Sequence, residues 1–136
     1  MLFYSAKELT AKQHYKFLTG SIIPRPIAWI TTINQETNIV NAAPFSYFNV
    51  VAKDLPLVSL SINRNNQKIK DTARNLLQQK EGVIHLVNDK VLAEMNQTSA
   101  SLPADESELA KMSLTLVDSQ EVTVPAISDA PIRFEV

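Results

Sequence analysis

The sequence predicts a mostly β protein: a small, mostly antiparallel β-barrel with helices at its periphery. Several short apolar stretches alternate with polar turns, a pattern typical of the strands of a small barrel. Residues 27–33 and 39–43 are joined by a short polar link, which predicts an antiparallel strand pair. The best helical period covers residues 68–79. The length of 136 residues predicts one domain, residues 1–136, with one sizeable core.

The strand predictions rest on short runs rich in β-branched and aromatic residues. Residues 27–33 combine Ile, Trp and Thr, and Pro24 and Pro26 before them suit a strand entrance or an edge. Residues 57–62 alternate in the manner of a third strand. The remaining strands are expected at residues 39–43, 83–87, 114–117, 121–124 and 132–136.

Helical spacing of apolar residues predicts three helices around these strands. Asn65 or Asn66 is expected to cap the second helix, and Asp89 the third. The helices are expected at residues 6–18, 68–79 and 90–96. The possible packing residues of the first helix are Leu9, Tyr15, Phe17 and Leu18.

The remaining segments read as connections, with one exposed edge. Residues 47–53 predict a turn or a short helical segment, and residues 99–111 a polar connection with a helical turn near Leu109. The last predicted strand, residues 132–136, runs to the end of the chain with an apolar edge. Because such an edge favours association, we expect another chain or a continuation of the protein to cover it.

Composition excludes several classes of site and protein. The chain has no cysteine, which excludes disulfides and thiolate chemistry. It has two glycines, too few for a GxGxxG dinucleotide fingerprint or a P-loop. A net charge of −1 disfavours a nucleic-acid or membrane-surface role. Without a spanning apolar run or a signal-peptide pattern, the expected location is the cytoplasm.

A cluster of cations and a hydroxyl marks a candidate phosphate seat. Arg64 follows the third predicted strand, and Lys68, Lys70 and Thr72 lie at the start of the 68–79 helix. A helix N-terminus offers unpaired N–H groups and a positive dipole end, and Arg can bind phosphate in bidentate fashion. The alternative is a solvated basic helix start in which Asp71 pairs with a neighbouring cation. Taken alone, the alternative is favoured.

Small residues at the end of the second strand mark a second candidate site. Residues 41–46 read Asn-Ala-Ala-Pro-Phe-Ser, so a flat heterocycle could lie close to the backbone. Trp29 or Phe45 could cover the apolar part of such a ligand. The alternative, favoured in isolation, is a strand end and a Pro-containing turn with Trp29 in the core.

No convincing catalytic constellation is visible. His85 lies on a predicted strand and reads as a packed or rim histidine, and His14 has no partner in sequence that suggests a metal. Glu106 and Glu108 read as a solvated face. No nucleophile-elbow motif is present, so no catalytic side chain and no metal site are predicted.

Four motifs occur in an order that closely resembles the flavin reductase-like family of FMN-binding split barrels, the flavoredoxin type. They are Pro-Arg-Pro-Ile-Ala-Trp at 24–29, Asn-Ala-Ala-Pro-Phe-Ser at 41–46, Lys-Asp-Thr at 70–72 with Asn75, and Met-Asn at 95–96. The resemblance runs from about Leu18 to the end of the chain. Each motif is weak alone, but their order favours the functional interpretation of both candidate sites.

The resemblance implies a six-stranded antiparallel Greek-key barrel and a homodimer with non-covalent FMN near its interface. It implies isoalloxazine contacts from the first two strands and phosphate contacts from the third strand and the following helix. The residues implied at the ring are Trp29, Thr31, Asn41, Ala42, Ala43 and Ser46. Those implied at the ribityl phosphate are Ser61, Arg64, Lys70 and Thr72.

The implied activity is that of an NAD(P)H:FMN oxidoreductase. NAD(P)H would pass hydride to the flavin, which would pass electrons to an acceptor or a partner oxygenase. The flavin would carry the redox chemistry, and the protein would supply position and hydrogen bonds.

Departures from the family pattern keep a second function open. Family members continue beyond the position of Val136, so we expect a C-terminally truncated chain. His85 stands where Asn is common, and Lys111 where Gly is frequent. The alternative function is a non-catalytic FMN-binding or interaction module, inactive through the truncation. A nucleic-acid-binding barrel is disfavoured by the near-neutral charge.

Overall fold

The computed structural model describes residues 3–99, 107, 109 and 112–136. The fold is mostly β with a few helices, and no helix in these ranges is long and apolar enough to cross a membrane. The strands are β1 (Ala28–Ile33), β2 (Val40–Phe45), β3 (Phe48–Val50), β4 (Val58–Leu60), β5 (Val83–Leu86), β6 (Leu116–Val117), β7 (Ala126–Ile127) and β8 (Ile132–Glu135). The helices are a 3₁₀ turn (Ala6–Glu8), α1 (Ala11–Ser21), α2 (Asp71–Gln79) and α3 (Leu92–Gln97).

A four-stranded antiparallel sheet in the order β2-β1-β5-β8 forms the centre. The expected pairing of the first two strands is confirmed. Trp29 on β1 lies opposite Pro44 on β2 and His85 on β5. Neighbouring residues of a strand point to opposite faces, so Ala28 and its β2 partner Phe45 share the other face.

Each face of this sheet buries its own apolar cluster. α3 and β7 cover one face, while α2 and the β3–β4 ribbon cover the other. The first cluster contains Trp29, Ala42, Val91, Met95, Leu109 and Ile127. The second contains Ala28, Ile30, Phe45 and Ile84, with Phe48, Leu60, Ile62 and Leu76 among the residues packed against it. The sheet is therefore the middle layer of the fold.

The described residues do not show the expected six-stranded Greek-key barrel. They contain eight short strands in three sheets, one of four strands and two of two strands. β3 pairs with β4 and β6 with β7, so these ribbons cover the central sheet without joining its edges. β8 lies at one edge, and its Ile132 and Phe134 are exposed, as predicted for this apolar strand.

The first helix differs from its prediction in position and packing. α1 starts at Ala11, after a capping box in which Thr10 and Gln13 bond to each other's backbone N–H groups. No residue of α1 is fully buried. Three of the candidate packing residues, Tyr15, Phe17 and Leu18, are exposed. Phe17 packs against Tyr4, with ring centroids 5.0 Å apart.

The predicted caps of the other helices were also wrong. The N-cap of α2 is Lys70, without a side-chain cap. Asn65 instead exchanges backbone hydrogen bonds of 3.0 and 2.9 Å with Lys68 across a tight turn. Asn66 in that turn has a φ of 47°, which Asn tolerates better than most residues. α3 likewise has no side-chain cap, so Asp89 does not serve it.

Two loop and strand assignments changed for identifiable reasons. Within residues 47–53, expected as a turn or helix, β3 forms because it pairs with β4. Residues 121–124 are not a strand, because side-chain carboxylates take their backbone N–H groups. Glu135 accepts from the Glu121 N–H at 2.6 Å, and Glu81 accepts from that of Thr123 at 2.8 Å. Leu109 is buried. Its neighbours 108, 110 and 111 lie outside the described residues, and with them most of the predicted turn and Lys111.

Candidate functional site

An open cleft of about 250 Å³ lies where the end of β2, the segment after β4 and the start of α2 meet α1. Its wall combines aromatic rings with hydroxyl, amide and ammonium groups. Its lining residues are Tyr15, Pro44, Phe45, Ser46, Tyr47, Ser61, Asn63 and Lys70.

The cleft joins members of both predicted residue sets. Ser46 was predicted for a flat ring, and Ser61 and Lys70 for a phosphate; all three line this cleft. Ser46 and Tyr47 form the link between β2 and β3. The backbone N–H of Ser61 donates to the carbonyl of Tyr47 at 2.9 Å, which ties the end of β4 to this link. Backbone pairing therefore brings together residues that lie far apart in sequence.

The electrostatics of the cleft favour an anion. Among the described residues, Lys70 is the one charged residue of its lining, and none of the lining residues described is acidic. The Lys70 ammonium lies 5.5 Å from the centroid of the Phe45 ring, within cation–π range. Lys70 is also the N-cap of α2, and the first N–H groups of a helix lack intrahelical partners. A cation and a positive helix end thus coincide at one wall.

The nearest acid at this helix start is already paired. A carboxylate oxygen of Asp71 accepts a hydrogen bond from the guanidinium of Arg74 at 2.5 Å. This pair is the one expected by the alternative interpretation, a solvated basic helix start, and its cation is Arg74. The negative charge of Asp71 is partly offset, so Lys70 remains available to an anionic ligand.

The other two predicted phosphate residues lie outside the cleft lining. Arg64 is exposed, and its guanidinium donates to the carbonyl of Gln67 at 3.3 Å. Thr72, in the first turn of α2, is 4% exposed. An exposed, long arginine side chain can reorient, whereas the Thr72 hydroxyl has little access to a ligand.

Three of the predicted ring residues belong to the core. The Trp29 side chain is fully buried, and its indole N–H donates to the Thr98 hydroxyl at 3.0 Å. Thr31 is also fully buried and donates to the carbonyl of Pro125 at 2.8 Å. Ala42, the β2 partner of Thr31, is buried on the same face. None of these three side chains lines the cleft, because all three are buried in the core.

The remaining predicted ring residues lie on the Phe45 face of β2. Asn41 is buried and Ala43 is half-buried. β2 is an edge strand of the central sheet. The edge of β2 that faces away from β1 is therefore not paired with another strand of that sheet.

Sequence reasoning missed three cleft residues. Tyr47 follows the predicted Ser46, and Asn63 precedes the predicted Arg64. Their positions next to predicted residues could have indicated them. Tyr15 comes from α1, and nothing in the sequence placed this helix beside the end of β2.

His85 is a buried structural histidine. Its Nε2 accepts from the backbone N–H of Ile127 at 2.9 Å, so Nδ1 carries the proton and donates to the carbonyl of Trp29 at 2.8 Å. Burial, helped by the positive charge of Arg133 on β8 and opposed by the hydrogen bond to Trp29, lowers the pKa of His85 from 6.5 to about 4. The prediction of a packed histidine is confirmed. Among the described residues, no group of three or more acidic or histidine side chains could hold a metal ion.

The sequence matches a known family over most of its length. Residues 19–136 match the family described as flavin reductase like domain. The chain belongs to this family. The resemblance found from the four ordered motifs is thereby confirmed, and the family implies flavin binding.

Similar proteins support the same fold and family. The uncharacterised protein YwrF of Bacillus subtilis is 48% identical over 99% of this chain and 65% of its own length. Nitrilotriacetate monooxygenase component B from Bacillus cereus is 44% identical over 99% of this chain and 66% of its own, with a TM-score of 0.94. A structure from Shewanella frigidimarina, assigned as a flavin reductase with a split barrel domain, is 20% identical over 99% of this chain and 67% of its own, with a TM-score of 0.80. That likeness shows the split-barrel fold alone.

This flavin reductase-like chain spans about two thirds of the length of its relatives, 65% for YwrF and 66% for component B. The cleft volume of about 250 Å³ is below the roughly 300–1,000 Å³ of pockets that enclose a whole ligand. Its ammonium, hydroxyl and amide donors, with no acid in the lining, fit the phosphate-bearing end of a flavin nucleotide. The residues present therefore fit one end of a flavin, with the rest of the molecule outside the cleft.

Proposed function

We propose that this chain is the FMN-binding part of an NAD(P)H-dependent flavin oxidoreductase. One observation carries the proposal: Ser46 from the predicted ring segment and Ser61 and Lys70 from the predicted phosphate segment line a single cleft. An acid-free cleft with a lysine at a helix start suits the phosphate of FMN.

In the proposed complex, Lys70 and the hydroxyls of Ser61 and Ser46 bind the phosphate and ribityl end. Arg64, exposed beside the cleft, reorients toward the phosphate, and Thr72 supports the helix start from within. The flat ring lies along β2 from Ala43 toward Ser46. Behind it, the buried side chains of Trp29, Thr31 and Ala42 hold the strand in place, and Asn41 is buried on the same face as Ala43.

Bound FMN supplies hydride acceptance from NAD(P)H and electron delivery to an acceptor. The side chains of the cleft bind, orient and screen; none is assigned as an acid or base. This division of roles agrees with the absence of acids from the cleft lining and with a neutral, buried His85.

The acceptor is proposed from the relatives. Component B of Bacillus cereus is named as part of a nitrilotriacetate monooxygenase. We propose that reduced flavin from this protein likewise serves a separate oxygenase component. The proposed working state is a cytoplasmic homodimer. Exposed apolar residues support it, among them Val50, Val51, Leu55 and Leu57 around the β3–β4 ribbon.

The test is flavin binding followed by anaerobic reduction. Purified protein should gain flavin absorbance when FMN is added, and NADH or NADPH should then bleach it. Protein that does not bind FMN would refute the proposal. FMN binding without bleaching by either nucleotide would instead identify the alternative, a non-catalytic FMN-binding module. Light scattering at micromolar concentration tests the dimer.

A further inference from the structure

One wall of the cleft comes from outside the matched family domain. The match begins at residue 19, but Tyr15 lies earlier, on α1, and lines the cleft with Pro44, Phe45 and Lys70. The Tyr15 side chain is 59% exposed. Within the described part of the chain, its hydroxyl has no hydrogen-bond partner. An exposed aromatic ring beside a proline, a phenylalanine and a lysine is suited to contact a ligand.

α1 is held at its ends and not by a core. At its start, Thr10 and Gln13 form the capping box, and the His14 ring lies 2.8 Å from the carbonyl of Ala6. At its end, the guanidinium of Arg25 donates to the carbonyl of Thr19 at 2.8 Å and to that of Ile22. These local bonds cap and close the two ends of the helix, while its side chains stay accessible.

The middle of α1 is therefore an accessible surface beside the cleft, not packed into either core cluster. None of its residues is fully buried, and elements with few buried apolar contacts open at low free-energy cost. A ligand that contacts Tyr15 would add the missing apolar contact and stabilise the helix.

We infer that Tyr15 is a specificity-determining residue that packs against the planar heteroaromatic ring of a phosphate-bearing ligand in this cleft. The inference rests on the proposed function and adds a contact from α1 to it. Lys70 attracts the phosphate, and the Tyr15 ring selects for a flat aromatic group next to it. The ring is either that of the flavin or that of the nicotinamide nucleotide.

The experiment compares Tyr15→Ala and Tyr15→Phe with Leu18→Ala, a matched control on the same helix whose exposed side chain does not line the cleft. Affinities for FMN and the KM for NADH and NADPH are measured on each protein. Loss of an aromatic contact should weaken one affinity by about two- to tenfold in Tyr15→Ala. Tyr15→Phe and Leu18→Ala should stay near wild type.

The results distinguish the two ligand sources and the two proposals. Weaker FMN binding assigns the contact to the flavin, and a raised KM with unchanged FMN affinity and kcat assigns it to the nicotinamide nucleotide. Unchanged values in Tyr15→Ala would overturn the inference while leaving the proposed function intact. Wild-type protein that binds no FMN would overturn the proposed function itself, and with it the inference.

Trypsin provides a readout independent of activity. Lys12 and Lys16 are exposed on α1. FMN or a pyridine nucleotide should slow cleavage after these residues in wild type and Tyr15→Phe, but not in Tyr15→Ala. Equal protection in all three proteins would contradict a ligand contact through the Tyr15 ring.

Discussion

The imidazole Nε2 of His85 accepts a hydrogen bond from the backbone N–H of Ile127 at 2.9 Å. Through its Nδ1 the same ring donates to the carbonyl of Trp29. One neutral side chain thus joins β5 to β1 in the central sheet and to β7 in the ribbon above it. A second proton would occupy Nε2 and break the bond to Ile127, so the fold depends on a neutral ring.

We predict that stability falls as the pH is lowered from 6.5 to 4.5. The pKa of His85 is lowered from 6.5 to about 4, so over this range the unfolded chain binds the proton and the folded chain does not. The loss should be about 2–3 kcal/mol. Urea unfolding at several pH values measures it.

The His85→Asn variant is the control for this pH dependence. Asn offers one donor and one acceptor but does not titrate in this range. A hydrogen bond from the Thr123 backbone lowers the pKa of Glu81, and one from the Gln120 backbone lowers that of Glu135. The stability that these two carboxylates contribute is therefore lost only as the pH falls below 4.5. An equal pH slope in His85→Asn would show that His85 is not responsible.

Thr98→Val should destabilise the fold by about 1–3 kcal/mol, because it leaves the Trp29 indole N–H buried without an acceptor. Thr98→Ser keeps the hydroxyl and should lose much less. Trp29 is the one tryptophan of the sequence, so its fluorescence during urea unfolding reports this site directly. If Thr98→Val were as stable as Thr98→Ser, the hydrogen bond would contribute little.

Lys70→Gln should weaken FMN binding by about tenfold or more, because it removes a charged donor to the phosphate. Riboflavin has no phosphate, so its affinity should change little. Lys80→Gln, at the other end of α2, provides a matched loss of charge and should bind FMN as wild type does. Flavin fluorescence titrations measure all three proteins. Parallel losses for FMN and riboflavin would place Lys70 away from the phosphate.

The two glycines should respond in opposite ways to alanine. A Cβ at Gly82 would lie 3.0 Å from the Leu76 side chain and 3.2 Å from the Thr31 carbonyl. Gly82→Ala should therefore cost about 1–3 kcal/mol. A Cβ added at Gly20, near the end of α1, would meet no described atom within 4 Å beyond its chain neighbours and the backbone of its own helix, so Gly20→Ala should be neutral or slightly stabilising. Thermal unfolding compares them, and equal melting temperatures would contradict the packing at Gly82.

Local pattern alone predicted the parts of the fold that depend on local chemistry. The residue types and periodicities of β1, β2, α2 and β5 fit few alternative secondary structures, so these elements could be predicted. The caps at Asn65 and Asp89 were wrong because several nearby polar residues could cap equally well. The strand at 121–124 was wrong because Glu81 and Glu135, distant in sequence, took its N–H groups.

The cleft was anticipated in part. Ser46, Ser61 and Lys70, which the family resemblance implied at a flavin, line one cleft, and their role in binding stays a prediction. Tyr15 was missed because its place depends on how α1 lies against the end of β2. That the chain is one domain, and that its bound group is FMN, remain predictions.

The amino-acid sequence by itself determined the mostly β fold, the family and, apart from α1, the segments that supply the cleft, since composition, periodicity and ordered motifs are properties of the chain. Only the tertiary structure decided which side chains of those segments line the cleft. In the observed register Trp29 lies opposite Pro44, and its indole is buried on one face of the sheet. Phe45 lies on the opposite face, where its ring contacts the Lys70 ammonium. A strand presents alternate residues to opposite faces, and packing decides which face becomes core and which becomes site.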